Sequence, residues 1–93
     1  MWILQSPEGT FRLKPGAVKT VGRAPRADFI VDAALVSRIH CRSTAGDENL
    51  EVEDLSSTNG TFVNDKRIDK TAHVTSGDRL RVGRVELTVD KKT

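Results

Sequence analysis

The sequence predicts an all-β fold, a sandwich or barrel of many short strands, and three observations carry that expectation. Apolar residues alternate with polar ones, the alternating runs stop every several residues at Gly, Pro, Asn or Asp, and helical periodicity is absent. Period-two alternation sends every second side chain to one face, so each run can bury one side and wet the other. Many such runs at short spacing fit two packed sheets or one closed sheet.

Taken in order, strands are expected at residues 2–5, 11–13, 18–22, 29–31, 39–43, 50–53 and 61–63, with a short one at 72–74. Pro7, Pro15 with Gly16, Pro25, Asp32, Gly46, Gly60, Asn64 and Gly77 fall in the breaks between them. The clearest pair is RLRVGRVELTV, where Leu80 and Val82 alternate with arginines and Val85, Leu87 and Val89 alternate with Glu86 and Thr88. A two-residue turn at Gly83-Arg84 sets Val82 opposite Val85 and Leu80 opposite Leu87, so both apolar sides face one core.

The 93 residues admit one domain, expected over residues 1–90 with 91–93 as a tail. Basic and acidic residues nearly balance, 15 against 13, which gives no strong pull toward nucleic acid or anionic membrane. Basic residues scatter among acids and stacking aromatics are few, so direct nucleic-acid binding is not expected. The single cysteine, Cys41, allows no internal disulfide and suits a reducing intracellular compartment, cytoplasm or nucleus. The start MWILQSPEG has no basic segment followed by a long apolar stretch, and no run approaches the ~20 apolar residues of a membrane span.

Catalysis finds little support. Ser37 and His40 could serve as nucleophile and base with Asp54 or Asp78 as orienter, but no G-x-S-x-G elbow is present and Ser37 precedes a strand. A metal site is not expected either: His40 and Cys41, adjacent in a strand, would point to opposite faces and could not share an ion. His40 reads as a structural histidine that ties a loop down, and Cys41 as core. No cofactor is implied.

Three polar loops remain: GRAPRAD, DAALVSRIH and DLSSTNG. If they converge at one end of a sandwich they gather Arg23, Arg38, the hydroxyls of Ser37, Ser57 and Thr58, the amide of Asn59, and Gly60, which allows φ > 0. That is the inventory of a phosphate site, with planar guanidinium forks, hydroxyl and N–H donors, and an amide able to grip a partner's main chain.

Gly22-Arg23, Ser37-Arg38-Ile39-His40, Ser57-Thr58-Asn59-Gly60-Thr61 and Gly77-Asp78-Arg79-Leu80 resemble, in order and spacing, the forkhead-associated (FHA) domain, over practically the whole chain. The resemblance implies a β-sandwich of about eleven short strands that binds a phosphothreonine peptide through loops at one end, without catalysis. By matching position, Arg23 grips the phosphate, Ser37 donates its hydroxyl, and Arg38 approaches phosphate or peptide backbone. Thr58 sits against the phosphothreonine, Asn59 bonds the main chain just after it, and Ser57 joins the contact set. Gly22, His40 and Gly60 shape the loops, and Asp78 belongs to turn structure.

Such domains commonly read the third residue after the phosphothreonine with the loop before the Ser-Arg block, here Ala33, Ala34, Leu35 and Val36. Leu35 and Val36 make that specificity loop uncharged, which favours a neutral residue there unless Arg26 or Arg79 reaches in. Asn64-Asp65 stands where a hairpin glycine is common, and both residues tolerate φ > 0. The start MWIL is also similar to the amino terminus of nibrin-like FHA proteins, which implies a nuclear DNA-damage role and an excised or stand-alone module. A phosphate-independent interaction or dimerisation scaffold is the alternative function, and the sequence leaves the oligomeric state open.

Overall fold

Period-two alternation becomes eleven strands in the computed structural model, which describes residues 1–92. They are β1 (Trp2–Ser6), β2 (Gly9–Leu13), β3 (Val18–Gly22), β4 (Phe29–Ile30), β5 (Cys41–Ala45), β6 (Leu50–Asp54), β7 (Thr61–Val63), β8 (Lys66–Arg67), β9 (Thr71–Val74), β10 (Arg79–Val82) and β11 (Val85–Lys91). Six form a sheet in the order β2-β1-β11-β10-β7-β8 and five a second in the order β4-β3-β5-β6-β9. All neighbours are antiparallel except β3 and β4.

The inward side chains of both sheets make one core. Leu4, Leu80, Val82, Leu87 and Val89 come from the larger sheet and Val21, Cys41, Leu50, Val52 and Val74 from the smaller, all buried. The hairpin register is as expected, Leu80 opposite Leu87 and Val82 opposite Val85. Gly83 has φ +59, and the hairpin's other turn residue, Arg84, lies outside the left-handed region, the pattern of a turn with glycine at its first central position. The sheets are also tied at their margins. Phe11 of β2 and Phe29 of β4 stack with centroids 4.7 Å apart, and the Trp2 indole N–H donates to the Gly46 carbonyl at 2.8 Å.

Three local readings differ. The strand expected at 39–43 enters its ladder at Cys41, because residues 37–40 bond irregularly to the chain at 21–24. β8 has no alternation to betray it, since Lys66 and Arg67 are both exposed. It exists because the Asn64-Asp65 turn, with φ 50 and 69, folds the chain back onto β7. The final strand runs through Lys91, and the Lys92 N–H donates to the Met1 carbonyl, so sheet pairing extends into the expected tail, of which Thr93 lies outside the described residues. No helix among the described residues is long and apolar enough to cross a membrane.

Candidate functional site

The loops after β3, β4 and β6 meet at one end of the two sheets and are laced by direct bonds. Arg23 N–H donates to the Ser37 carbonyl and Ala24 N–H to the Arg38 carbonyl, each at 3.0 Å. That approach requires the glycine between Val21 and Arg23: a Cβ on Gly22 would lie 2.1 Å from the Arg38 oxygen. From the third loop, Thr58 N–H donates to the Ser37 hydroxyl and the Asn59 amide to the Leu35 carbonyl, both at 3.0 Å.

His40 is the buried pin of this end. Ser37 N–H donates to Nδ1 at 3.0 Å, so Nδ1 holds the lone pair and Nε2 the proton, which it donates to the Gly60 carbonyl at 2.8 Å. Burial pushes its pKa below the ordinary 6.5, outweighing the Gly60 bond and the Asp54 charge, so the neutral tautomer is the resident one. His40 meets Ser37 through the backbone N–H, leaving the hydroxyl without a general base from this ring. His40 lies just before β5 and bonds loops, while Cys41 lies in the core, its thiol pushed up to about 12 by burial and the nearby Asp54. Among the described residues, no three His, Cys, Asp or Glu group to hold a metal.

Asp54 organises the third loop. One carboxylate oxygen accepts the Ser57 and Thr61 hydroxyls, the other the Ser57 N–H at 3.1 Å, and the Ser57 hydroxyl in turn accepts Gly60 N–H at 3.0 Å. Burial alone would raise the Asp54 pKa; the hydroxyl and N–H donors outweigh it and hold the carboxyl below its ordinary range. Sequence reasoning weighed Asp54 only as a catalytic orienter. The signal for its real place is an aspartate followed at its third position by a serine whose N–H and hydroxyl it can both bond, a local turn motif.

The same network takes in Ser57. Expected as a ligand contact, it is buried, with its hydroxyl proton given to Asp54 and a lone pair given to Gly60. Val36 is likewise interior: its side chain packs in the core and its carbonyl accepts Arg23 Nε at 3.1 Å, so Leu35, 36% exposed, presents the surface of that loop. Arg23, Arg38, Thr58 and Asn59 are exposed at this end and Ser37 is half-buried. Among the described residues neither Arg23 nor Arg38 has a carboxylate within 4.0 Å.

A fourth segment, missed from sequence, joins them. The Gly83-Arg84 turn packs on the Leu35 loop so closely that a Cβ on Gly83 would lie 2.5 Å from the Leu35 oxygen, and Gly83 N–H approaches the Gly60 carbonyl at 3.4 Å. Arg79 and Asp78 sit at the other end of β10, Arg79 3.2 Å from Asp65 and Asp78 accepting Thr75 N–H at 2.8 Å.

The FHA domain family model matches residues 19–83, which span the three loops and both ends of β10. The chain belongs to the FHA domain family. An ABC transporter ATP-binding/permease protein of Mycobacterium tuberculosis is 38% identical over 87 residues, 94% of this chain and 10% of that protein. The oxoglutarate dehydrogenase inhibitor of Corynebacterium diphtheriae is 39% identical over 69 residues, 73% of this chain and 47% of the relative. This FHA domain therefore spans a small part of the first and under half of the second. A solved FHA domain studied for its phosphothreonine-dependent interactions is 30% identical, with TM-score 0.88 over 99% of this chain and 97% of that one. Both sequence relatives are bacterial, and they lend nothing to the nibrin-like likeness or to a nuclear DNA-damage setting.

Proposed function

We propose that this FHA domain is a non-catalytic reader of phosphothreonine in partner proteins. The observation that carries the reading is the pair of exposed guanidiniums, Arg23 and Arg38, without a carboxylate within 4.0 Å among the described residues, beside three loops whose shape is fixed by bonds to one another. Arg23 is held by its Nε bond to the Val36 carbonyl, so the rest of its fork is pre-oriented for phosphate oxygens. The Ser37 hydroxyl accepts Thr58 N–H and keeps its own proton to donate. Thr58 lies against the phosphothreonine methyl and Asn59 holds the peptide main chain beyond it, while Ser57, Asp54, His40, Gly22 and Gly60 hold the loops. Leu35 faces the third residue after the phosphate and favours a neutral side chain there. The studied phosphothreonine-dependent relative supports the ligand class, and bacterial relatives favour a partner inside a bacterial cell.

Calorimetric titration tests the reading. A charge-assisted hydrogen bond contributes ~1.5 to 3 kcal/mol, so Arg23→Ala should weaken a phosphothreonine peptide at least about tenfold without lowering the melting temperature appreciably. A matched phosphoserine peptide should bind roughly 10- to 200-fold more weakly, the range for one methyl in an apolar notch. Wild-type affinity in the Arg23 variant sinks the phosphate assignment; equal affinity for the two phosphopeptides sinks the notch.

A further inference from the structure

Beside the loops, the outer face of the six-stranded sheet carries one row of side chains across four strands: Glu86 on β11, Arg81 on β10, Phe62 on β7 and Arg67 on β8. Their chain neighbours Leu80, Val82, Leu87 and Thr61 are buried, so the row faces outward. The Arg81 guanidinium lies 3.9 Å over the Phe62 ring centroid and donates to the Gly83 carbonyl at 3.1 Å. Ring and carbonyl hold the fork in place while its other N–H groups stay available. The row begins where the phosphate loops end, since a Cβ on Gly60 would lie 2.9 Å from Arg67 Nε and 3.2 Å from the Phe62 ring.

Among the described residues, neither Arg67 nor Arg81 has a carboxylate within 4.0 Å, whereas Arg42 pairs with Glu53 and Arg79 with Asp65. Glu86 is the cross-strand neighbour of Arg81 but lies beyond that distance. Two guanidiniums flanking an aromatic ring, continuous with the loop end, form a positive strip with a single carboxylate at its far edge.

We propose that this strip is a second anion subsite, which takes an acidic side chain, a carboxylate or a second phosphate, from the same peptide whose phosphothreonine the loops hold. The proposal rests on the phosphothreonine reading. An extended peptide advances about 3.3 Å per residue, so a chain held at Asn59 and running on past Gly60 would reach Arg67 and Arg81 within a few residues. Glu86 limits the strip to a short anionic stretch; a polyanion running along the row would meet that carboxylate. The subsite adds sequence preference more than affinity, as half-exposed charge pairs do.

The test uses phosphothreonine peptides with alanine flanks, in which glutamate or phosphoserine is placed at each flanking position in turn. The wild-type domain should gain about five- to tenfold for at least one placement, the range of a few half-exposed charge contacts. In the Arg67→Gln/Arg81→Gln double variant that gain should shrink to about twofold or less while affinity for the alanine-flanked peptide is kept, and Glu86→Gln should enlarge it. Absence of any gain in the wild type, or a gain that survives the double substitution, overturns the subsite. So would a single-stranded oligonucleotide that binds through these arginines more tightly than the acidic peptide. If the alanine-flanked phosphothreonine peptide itself fails to bind, the underlying phosphothreonine reading falls, a result distinct from loss of the preference alone.

Discussion

The two ends of this sandwich are built from the same residue types and use them oppositely. At the end away from the loops, Asn64 accepts Arg79 N–H at 2.9 Å and donates to Asp78 at 3.0 Å, Asp78 accepts Thr75 N–H at 2.8 Å, and Arg79 pairs with Asp65 at 3.2 Å. Asp65, Asp78 and Arg79 there all close on neighbouring turns. At the loop end, the uncharged donors and acceptors of Ser37, Thr58, Asn59, His40 and Gly60 close on one another or on neighbouring backbone, and among the described residues the guanidiniums of Arg23 and Arg38 have no carboxylate within 4.0 Å. The contrast lies in how the charges are compensated and not in the turn residues themselves, and on it the proposed site rests.

The largest expected effect comes from removing the pin of the loop end. His40→Ala strands the Ser37 N–H, takes one donor from the Gly60 carbonyl and opens a cavity, a combination worth about 3 to 5 kcal/mol and a melting point lower by roughly 12 °C or more. Peptide binding should weaken as a consequence of the loosened loops. A variant that keeps its melting temperature yet loses binding would make His40 a ligand contact instead. The wild type should carry a matching pH signature. His40 takes a proton more readily unfolded than folded, so acid favours the unfolded chain, and stability should decline as pH falls below about 6.5, a slope that His40→Gln removes.

Asp54→Asn should cost less, about 1 to 3 kcal/mol, because the amide oxygen can still accept the Ser57 and Thr61 hydroxyls and the Ser57 N–H alone loses its acceptor. The carboxyl is held below its ordinary 3.8, so its contribution is present above that pH and lost as pH falls through the lower folded value. Acid unfolding followed by circular dichroism should show a second decline there in wild type and none in the variant; identical curves would remove Asp54 from the loop frame.

Legibility followed the range of the interactions. Strand positions and the β10–β11 register were readable because alternation and a glycine turn are local, and His40 read as a structural residue once catalysis and metal binding had been set aside. The interior placement of Ser57 and Val36 was not legible because burial at a loop depends on what packs over it: Asp54 and Gly60 for one, the core for the other. The Gly83-Arg84 turn lies 23 residues beyond Gly60 and over 40 beyond Leu35 in sequence, so no local pattern could announce their contact. Basic residues that scatter among acids along the chain are sorted by the sheet registers, which set Arg81 and Arg67 on either side of Phe62.

The smallest effect sharpens the contrast of ends. Arg79→Ala removes a half-exposed pair with Asp65, and should change stability by no more than about 0.5 kcal/mol and phosphopeptide affinity not at all. A loss of affinity in that titration would place ligand contact at the wrong end of β10.

Amide chemical-shift mapping with a phosphothreonine peptide puts both ends in one spectrum. The expected perturbations fall at Arg23, Ser37, Arg38, Thr58, Asn59 and Gly60, with Asn64, Asp65 and Thr75 to Asp78 unmoved. Perturbations centred on the Asn64-Asp65 end, or the same loop shifts with the unphosphorylated peptide, would contradict the account.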